Sequence, residues 1–221
     1  MASFFKLVLD TLAPSGVSLV INSGAQYTTS REVNLAIGTN DSDTTGYQMK
    51  IWGIDGVETE SDASWETYAA SKSVTLADGD GLKTVYVKIR DDVYNESSAV
   101  SASITLNTAV PAVTITGPDV SRISKKNPKN VCSFSFVCDV DFTEYKVKVV
   151  PATSSLQDAG TQIPTTNGST NMSGTGTFSA NTAIQCKIYG ADLETASSGD
   201  GEKIIKVFAR NSAGTWSLPP M

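Results

Sequence analysis

The residue types best suited to chemistry gather between Ile54 and Ala70, where IDGVETESDASWETYAA sets Trp65 and Tyr68 among five carboxylates, Asp55, Glu58, Glu60, Asp62 and Glu66. Rings beside acids suit sugar recognition, since ring faces stack on pyranose C–H surfaces while carboxylates accept hydroxyl protons. The competing and stronger reading packs both rings over a sheet edge and leaves the acids in water. Two D-x-D pairs, Asp41/Asp43 and Asp139/Asp141, offer oxygens to a hard cation. Calcium needs roughly six to eight oxygens, and Asp is a favoured turn residue, so each pair reads as a turn and no metal is expected. The Gly-Asp-Gly runs at 79–81 and 199–201 read as tight hairpins, because no helical pattern follows either one.

The sequence has no histidine. That removes the commonest general base, the commonest zinc ligand and every Ser-His or Cys-His nucleophile pair. Three cysteines, Cys132, Cys138 and Cys186, are too few for a Cys-only zinc site. The first two lie six apart in one expected strand, about 20 Å at ~3.3 Å per residue, so they cannot bridge each other. Reduced thiols and folding in a cytoplasm are expected. Composition thus argues against an enzyme and against any cofactor.

Charge narrows the partners. The formal charge of −6 is uneven: residues 1–110 carry 7 basic and 14 acidic side chains, whereas residues 111–221 carry 10 and 9. An acidic chain repels phosphate backbones, so no nucleic-acid binding is expected. The basic cluster Arg122, Lys125, Lys126 and Lys129 reads as a solvated loop. The start, MASFFKLVLDTLAPSG, lacks a basic leader and is interrupted by Lys6 and Asp10, which does not fit a secretion signal. No run approaches the roughly 18 apolar residues that span a bilayer, so membrane insertion is not expected.

These residues must be positioned by a repeated scaffold. Leu9-Asp10-Thr11 with Pro14 recurs as Leu106-Asn107-Thr108 with Pro111. Asp41-x-Asp43 followed by Tyr47 recurs as Asp139-x-Asp141 followed by Tyr145, and Lys50 and Lys148 then match. GDGLKTVYVKIRD from Gly79 recurs as GDGEKIIKVFARN from Gly199. Period-two segments bounded by turn residues predict strands at 17–21, 32–38, 47–52, 73–76, 83–90 and 99–106. The second copy predicts them at 112–116, 131–137, 145–150, 183–189 and 203–210, with a short end near Trp216. Val33, Leu35, Ile37, Val85, Val87 and Ile89 should face inward in the first copy. In the second, Cys132, Phe134, Phe136, Ile205, Val207 and Ala209 should do so. The chain is therefore expected to be all-β, two tandem β-sandwiches joined by a short stiff linker fixed by Pro111. Residues 12–107 and 108–221 form the two domains, the second with an exposed Gly/Ser/Thr/Asn-rich insertion at about 160–180.

The stretch from LDTLAP through YTTSREVNLAI to GDGLKTVYVKIRD resembles the immunoglobulin-like and fibronectin type III-like modules of bacterial surface proteins and of bacteriophage tail, baseplate and fibre proteins. Such modules repeat D-T-x-x-P, Y-x-x-S-x-x-V-x-L and G-D-G-x-K-T-V-x-V-x-x-x-D. Residues 9–106 match well. In the second copy KKNPKN replaces the Y-x-x-S stretch. The resemblance implies two immunoglobulin-like sandwiches in a non-enzymatic bacteriophage virion protein of the tail, baseplate or fibre, serving as a multi-copy spacer and docking module. Capsid-exterior decoration or a head fibre is one alternative, and an adhesin module binding host-surface polysaccharide through Trp65 and Tyr68 is another. Other virion proteins and copies of itself are the partners implied. The protein would be assembled in the host cytoplasm and exposed on the particle exterior.

FFKLVLDTLAP also aligns with SASITLNTAVP, so residues 1–11 are expected to form an N-terminal docking strand, the last strand of a sandwich that is not its own. Phe4, Phe5, Leu7, Val8 and Leu9 would bury themselves by pairing with a sheet edge, in the same chain or another.

Overall fold

The computed structural model describes residues 5–151, 154, 157 and 159–217. The chain divides into two compact units, Met1–Thr108 and Ala109–Met221. In unit 1 the strands are β1 (Ser18–Ile21), β2 (Tyr27–Thr28), β3 (Glu32–Gly38), β4 (Gln48–Trp52), β5 (Glu66–Thr67), β6 (Ser71–Thr75), β7 (Gly81–Arg90) and β8 (Val100–Leu106). They make two sheets, ordered β1-β3-β6 and β2-β8-β7-β4-β5. The alternation that predicts β3 is the alternation observed, with Val33, Leu35 and Ile37 buried and the residues between them exposed. Val85, Val87 and Ile89 of β7 face them across the sandwich and are fully buried. Each such side chain contributes on the order of 1.5–3 kcal/mol over its exposed state. β4 and β7 run antiparallel in a register that sets Trp52 opposite Tyr86, and the rings stack at 5.4 Å. The next residue must be glycine: Gly53 has φ +78°, and a Cβ there would lie 2.2 Å from the Thr84 carbonyl oxygen.

Unit 2 is built from β9 (Val113–Thr116), β10 (Val131–Cys138), β11 (Phe142–Val149), β12 (Thr161–Gln162), β13 (Ser173–Phe178), β14 (Ile184–Tyr189) and β15 (Ile205–Arg210), with one helix, α1 (Gly190–Ala196). One sheet is ordered β14-β10-β9. In the other, β11 takes β15 on one side and β12 then β13 along the other. Phe136, Phe142, Tyr145 and Phe178 form its aromatic centre, with ring centroids 4.9–6.3 Å apart.

Each unit is an all-β sandwich of the immunoglobulin-like kind, a three-stranded sheet facing a larger one. Several sequence expectations are corrected. The segment at 160–180 is mostly exposed but is not a loop throughout, since it contains β12 and β13 and buries Ile163, Ser169 and Met172. Helix α1 was not expected from the strand pattern around it. Cys132 and Ile205, assigned inward, are only half-buried, whereas Phe134, Phe136, Val207 and Ala209 are buried. Among the described residues, 5–9 lie beside no strand of unit 1, and since a strand exists only where a second one supplies backbone partners, the expected docking strand needs an edge from elsewhere.

Candidate functional site

The 54–70 segment holds its chemistry mostly against the fold. Tyr68 donates its hydroxyl to the Ile37 carbonyl at 3.0 Å and packs on the unit 1 core, where burial raises its pKa. Trp65 lies under the Arg90 guanidinium at 4.3 Å, with the Lys50 ammonium 5.3 Å from the ring centroid. Arg90 also lies over Tyr94 at 4.4 Å, and Gln48 Oε1 accepts from its Nε at 2.7 Å and its Nη2 at 2.5 Å. Four of the carboxylates have partners. Asp55 pairs with Arg31 at 3.0 Å, Glu60 with Lys88 at 3.0 Å, and Glu66 with Lys72, while Asp62 accepts from the Thr59 amide and hydroxyl. The geometry is a cation-covered ring in an ion-pair network, with Tyr68 turned to the core.

Unit 2 repeats the arrangement at Arg210. β7 and β15 end in equivalent residues: Gln48 lies opposite Arg90 in β4 and β7, as Glu144 lies opposite Arg210 in β11 and β15. Arg210 contacts Glu144 at 3.3 Å and lies over Trp216, and Lys146 covers the same ring at 4.7 Å. Lys50 therefore corresponds to Lys146, and the sequence match of Lys50 with Lys148 is two residues out of register. The turn after each arginine is built alike. Ser97 Oγ accepts from the Ile89 amide, and Ser217 Oγ from the Ala209 amide, both at 3.0 Å. Asp91 Oδ1 accepts from the Asn95 amide at 2.8 Å, and Asn211 Oδ1 from the Thr215 amide at 2.9 Å. Asp91 Oδ1 also accepts from the Val93 amide and Oδ2 from the Asn95 side-chain Nδ2. Asp91→Asn, which keeps an acceptor for the amides but turns an N–H toward Asn95 Nδ2, should therefore cost about 1 kcal/mol, whereas Asp91→Ala, which leaves half-buried amides without an acceptor, should cost about 2 kcal/mol. Urea titrations of the two variants measure the difference.

The D-x-D pairs serve their turns. Asp41 accepts from the Ser15 hydroxyl at 2.9 Å and from its amide, and Asp139 Oδ1 accepts from the Ala112 amide at 2.7 Å, so in each unit the first aspartate ties down the chain entering the first strand. Asp43 and Asp141 accept from the Thr45 and Ala180 amides. The Ser15 hydroxyl bond is the main influence holding the Asp41 carboxyl below its ordinary range. Tyr47, which donates to Asp41 at 3.2 Å, is pushed up to about 12, first by burial and then by the neighbouring carboxylates. Among the described residues, no three His, Cys, Asp or Glu side chains gather as a metal site. The GDG turns share one backbone, with Gly79 and Gly199 at φ +78° and +82° and Gly81 and Gly201 at +123° and +125°.

A buried carboxylate that the sequence did not single out organises the segment before β13. Asp192, in the first turn of α1, is fully buried. Its Oδ1 accepts from the Thr166 hydroxyl at 3.1 Å and from the Asn167 amide and side-chain Nδ2, each at 2.9 Å, and its Oδ2 accepts from the Ser169 amide at 2.9 Å. No short-range pattern marks it, since its partners lie 23–26 residues earlier.

The N-terminal segment is the contrasting case. Phe5, Leu7, Val8 and Leu9 are 85–86% exposed. They do not fold back onto unit 1, where the nearest tie is the Asn95 side chain donating to the Asp10 carbonyl at 3.4 Å. Phe4 lies outside the described residues. In the basic loop, Lys125 pairs with Glu194 at 3.7 Å and the Ser124 amide donates to the Lys129 carbonyl.

No protein-family model matches the chain, and no curated protein matches it. Among solved structures, it is similar to the fibronectin(III)-like modules of CbhA from Clostridium thermocellum, at 12% identity and a TM-score of 0.44, over 92% of this chain and 90% of that one. It is also similar to chitinase ChiA74 from Bacillus thuringiensis, at 13% identity and a TM-score of 0.32, covering 91% of this chain and 30% of that one. The exo-chitosanase CsxA from Amycolatopsis orientalis gives 12% identity and a TM-score of 0.25, covering 92% and 26%. The chain thus spans under a third of the length of either enzyme.

Proposed function

We propose that the protein is a non-enzymatic structural and interaction component of a bacteriophage virion, a spacer and docking module of the tail, baseplate or fibre present in several copies. The observation that carries this reading is the contrast between two sandwiches with well-buried cores and an N-terminal segment whose four large apolar side chains are almost wholly exposed. Such a segment costs solubility unless a partner covers it. The sequence resemblance of residues 9–106 to virion modules supplies the setting, and the absence of histidine supports a role without bond chemistry.

Purified particles of the phage test the reading. Mass spectrometry should find the chain in intact virions, and cryo-electron microscopy should place it in a tail ring, baseplate or fibre. A phage whose copy lacks residues 1–9 should carry at least tenfold less of the protein per particle. Normal incorporation of that variant would remove the docking role. Density on the capsid exterior would replace the tail assignment with decoration.

A further inference from the structure

The correspondence between the two units leaves an acceptor for the N-terminal segment in unit 2. In unit 1, β7 is covered on one side by β4 and on the other by β8, which contributes Ile104 and Leu106 to the core, each 1% exposed. In unit 2, β15 stands where β7 stands, as the Arg90/Arg210 and Ser97/Ser217 equivalences establish. β15 pairs with β11, and its other edge is met at the far end by Trp216 and Ser217, which bridge Arg210 and Ala209; toward the start of β15 no strand lies along that edge among the described residues. There an open cleft of about 890 Å³ reaches the core between β15 and the β9–β10 sheet, lined by Ile115, Val120, Phe134, Ile188, Lys203 and Ile205. Ile115 and Val120 are 41% and 39% exposed. The half-burial of Cys132 and Ile205, both lining residues, follows from the same opening.

We propose that residues 5–9 of one copy occupy this edge in the unit 2 of a second copy, as an added antiparallel strand beside residues 201–205, the stretch that leads into β15 and would extend it toward Gly201 as β7 extends to Gly81. The register follows from the chain itself. Leu9-Asp10-Thr11 matches Leu106-Asn107-Thr108, which puts Leu9, Leu7 and Phe5 in the places of Leu106, Ile104 and Ala102. Those three β8 positions point into the unit 1 sandwich, while Ser103, in the place of Lys6, is exposed. Unit 1 pairs Gly81 with Leu106, Lys83 with Ile104 and Val85 with Ala102. Carried to unit 2, Leu9 meets Gly201, Leu7 meets Lys203 and Phe5 meets Ile205. Lys6, on the outer face, is then opposite Ile204 and diagonal to both Glu202 and Lys206, so the pairing rests on the apolar face and not on charge. Phe5 is larger than Ala102, and the cleft between β9 and β15 gives it room. Donor and acceptor are different surfaces, so every copy carries one of each, and the contact yields multiples of the monomer whether it propagates head to tail or closes reciprocally between two copies.

The inference goes beyond the virion reading and does not rest on it, because purified protein alone tests it. By sedimentation velocity, the full chain should form a concentration-dependent series of multiples of 23.3 kDa. Removal of residues 1–9, or Leu7→Asp in a segment that touches no core, should leave a single monomer. A synthetic peptide of residues 2–11 should bind the truncated protein one to one, and Ile115→Asp in the cleft should weaken that binding at least tenfold. A full chain that stays monomeric, a truncated chain that assembles equally well, or peptide binding indifferent to Ile115→Asp would each overturn the proposal.

Discussion

Phe136→Ala should lower the stability of unit 2 by about 4 kcal/mol, the middle of the range for deleting a buried aromatic ring. Phe136 is 1% exposed, and its ring lies 5.2 Å from Tyr145 and 6.3 Å from Phe142. Those rings in turn pack on Phe178, stacked with Phe142 at 4.9 Å. The cluster bridges both sheets, since Phe136 belongs to β10, Phe142 and Tyr145 to β11, and Phe178 to β13. A cavity at its centre cannot collapse without moving strands in two layers, which is the circumstance in which truncation costs most. The core of unit 1 shares no residue with this cluster. Calorimetry should therefore show the loss in the unfolding of unit 2 and leave that of unit 1 in place. Phe5→Ala, at an exposed position, should change neither.

What the sequence makes legible divides along the range of the interactions involved. β3 and β7 are read correctly because their inward residues are Val, Leu and Ile at period two, and burial on one face is all that the pattern needs to report. β13 is SGTGTF, which offers one large apolar residue, and it becomes a strand only because β11 presents an edge to it. The first of its two glycines has a tertiary reason: a Cβ on Gly174 would come within 2.5 Å of the Tyr145 ring, so the small residue that reads as loop is what lets an aromatic side chain lie across the strand. The repeat shows the same limit. Tyr47 and Tyr145 stand at equal distances from Asp41 and Asp139, yet the connection into β11 is two residues shorter than that into β4. The observed register therefore sets Tyr145 beside Met49, with its ring in the aromatic centre, while Tyr47 reaches back to Asp41. Equal spacing in sequence reports equal structure only where the intervening turns have equal length. Of the site residues, Tyr68 was legible as a packing residue. The cation cover of Trp65 was not, because Arg90 lies 25 positions away, at the end of β7, while Trp65 stands in the loop before β5.

Asp192→Ala should destabilise unit 2 by about 3 kcal/mol, and the effect should be pH-dependent in a direction fixed by the geometry. Burial alone would raise the pKa of this carboxyl, but the hydrogen bonds from Ser169 and Asn167 outweigh it and hold the group at about 2. Its unfolded-state value is near 3.8, so the folded state favours the ionised form. Stability from this group is then fully present above about pH 4 and drains away as pH falls through 2. The advantage of the wild type over Asp192→Ala should accordingly be constant from pH 5 to 7 and shrink progressively below pH 4, as urea midpoints across that range would record. Asp192→Asn discriminates charge from shape. The amide keeps one oxygen for the Asn167 donors but turns an N–H toward the Ser169 amide, which needs an acceptor. Two donors then face each other in a buried site, so the conservative variant should recover less than half of the loss. Loss of Asp192 should act first on the turn it holds, residues 166–169, which leads into β13 and thence to Phe178 in the aromatic centre. Hydrogen exchange should therefore quicken in β13 before it does in β10, because one carboxylate reaching across 23–26 residues fixes the approach to a strand that has little side-chain burial of its own.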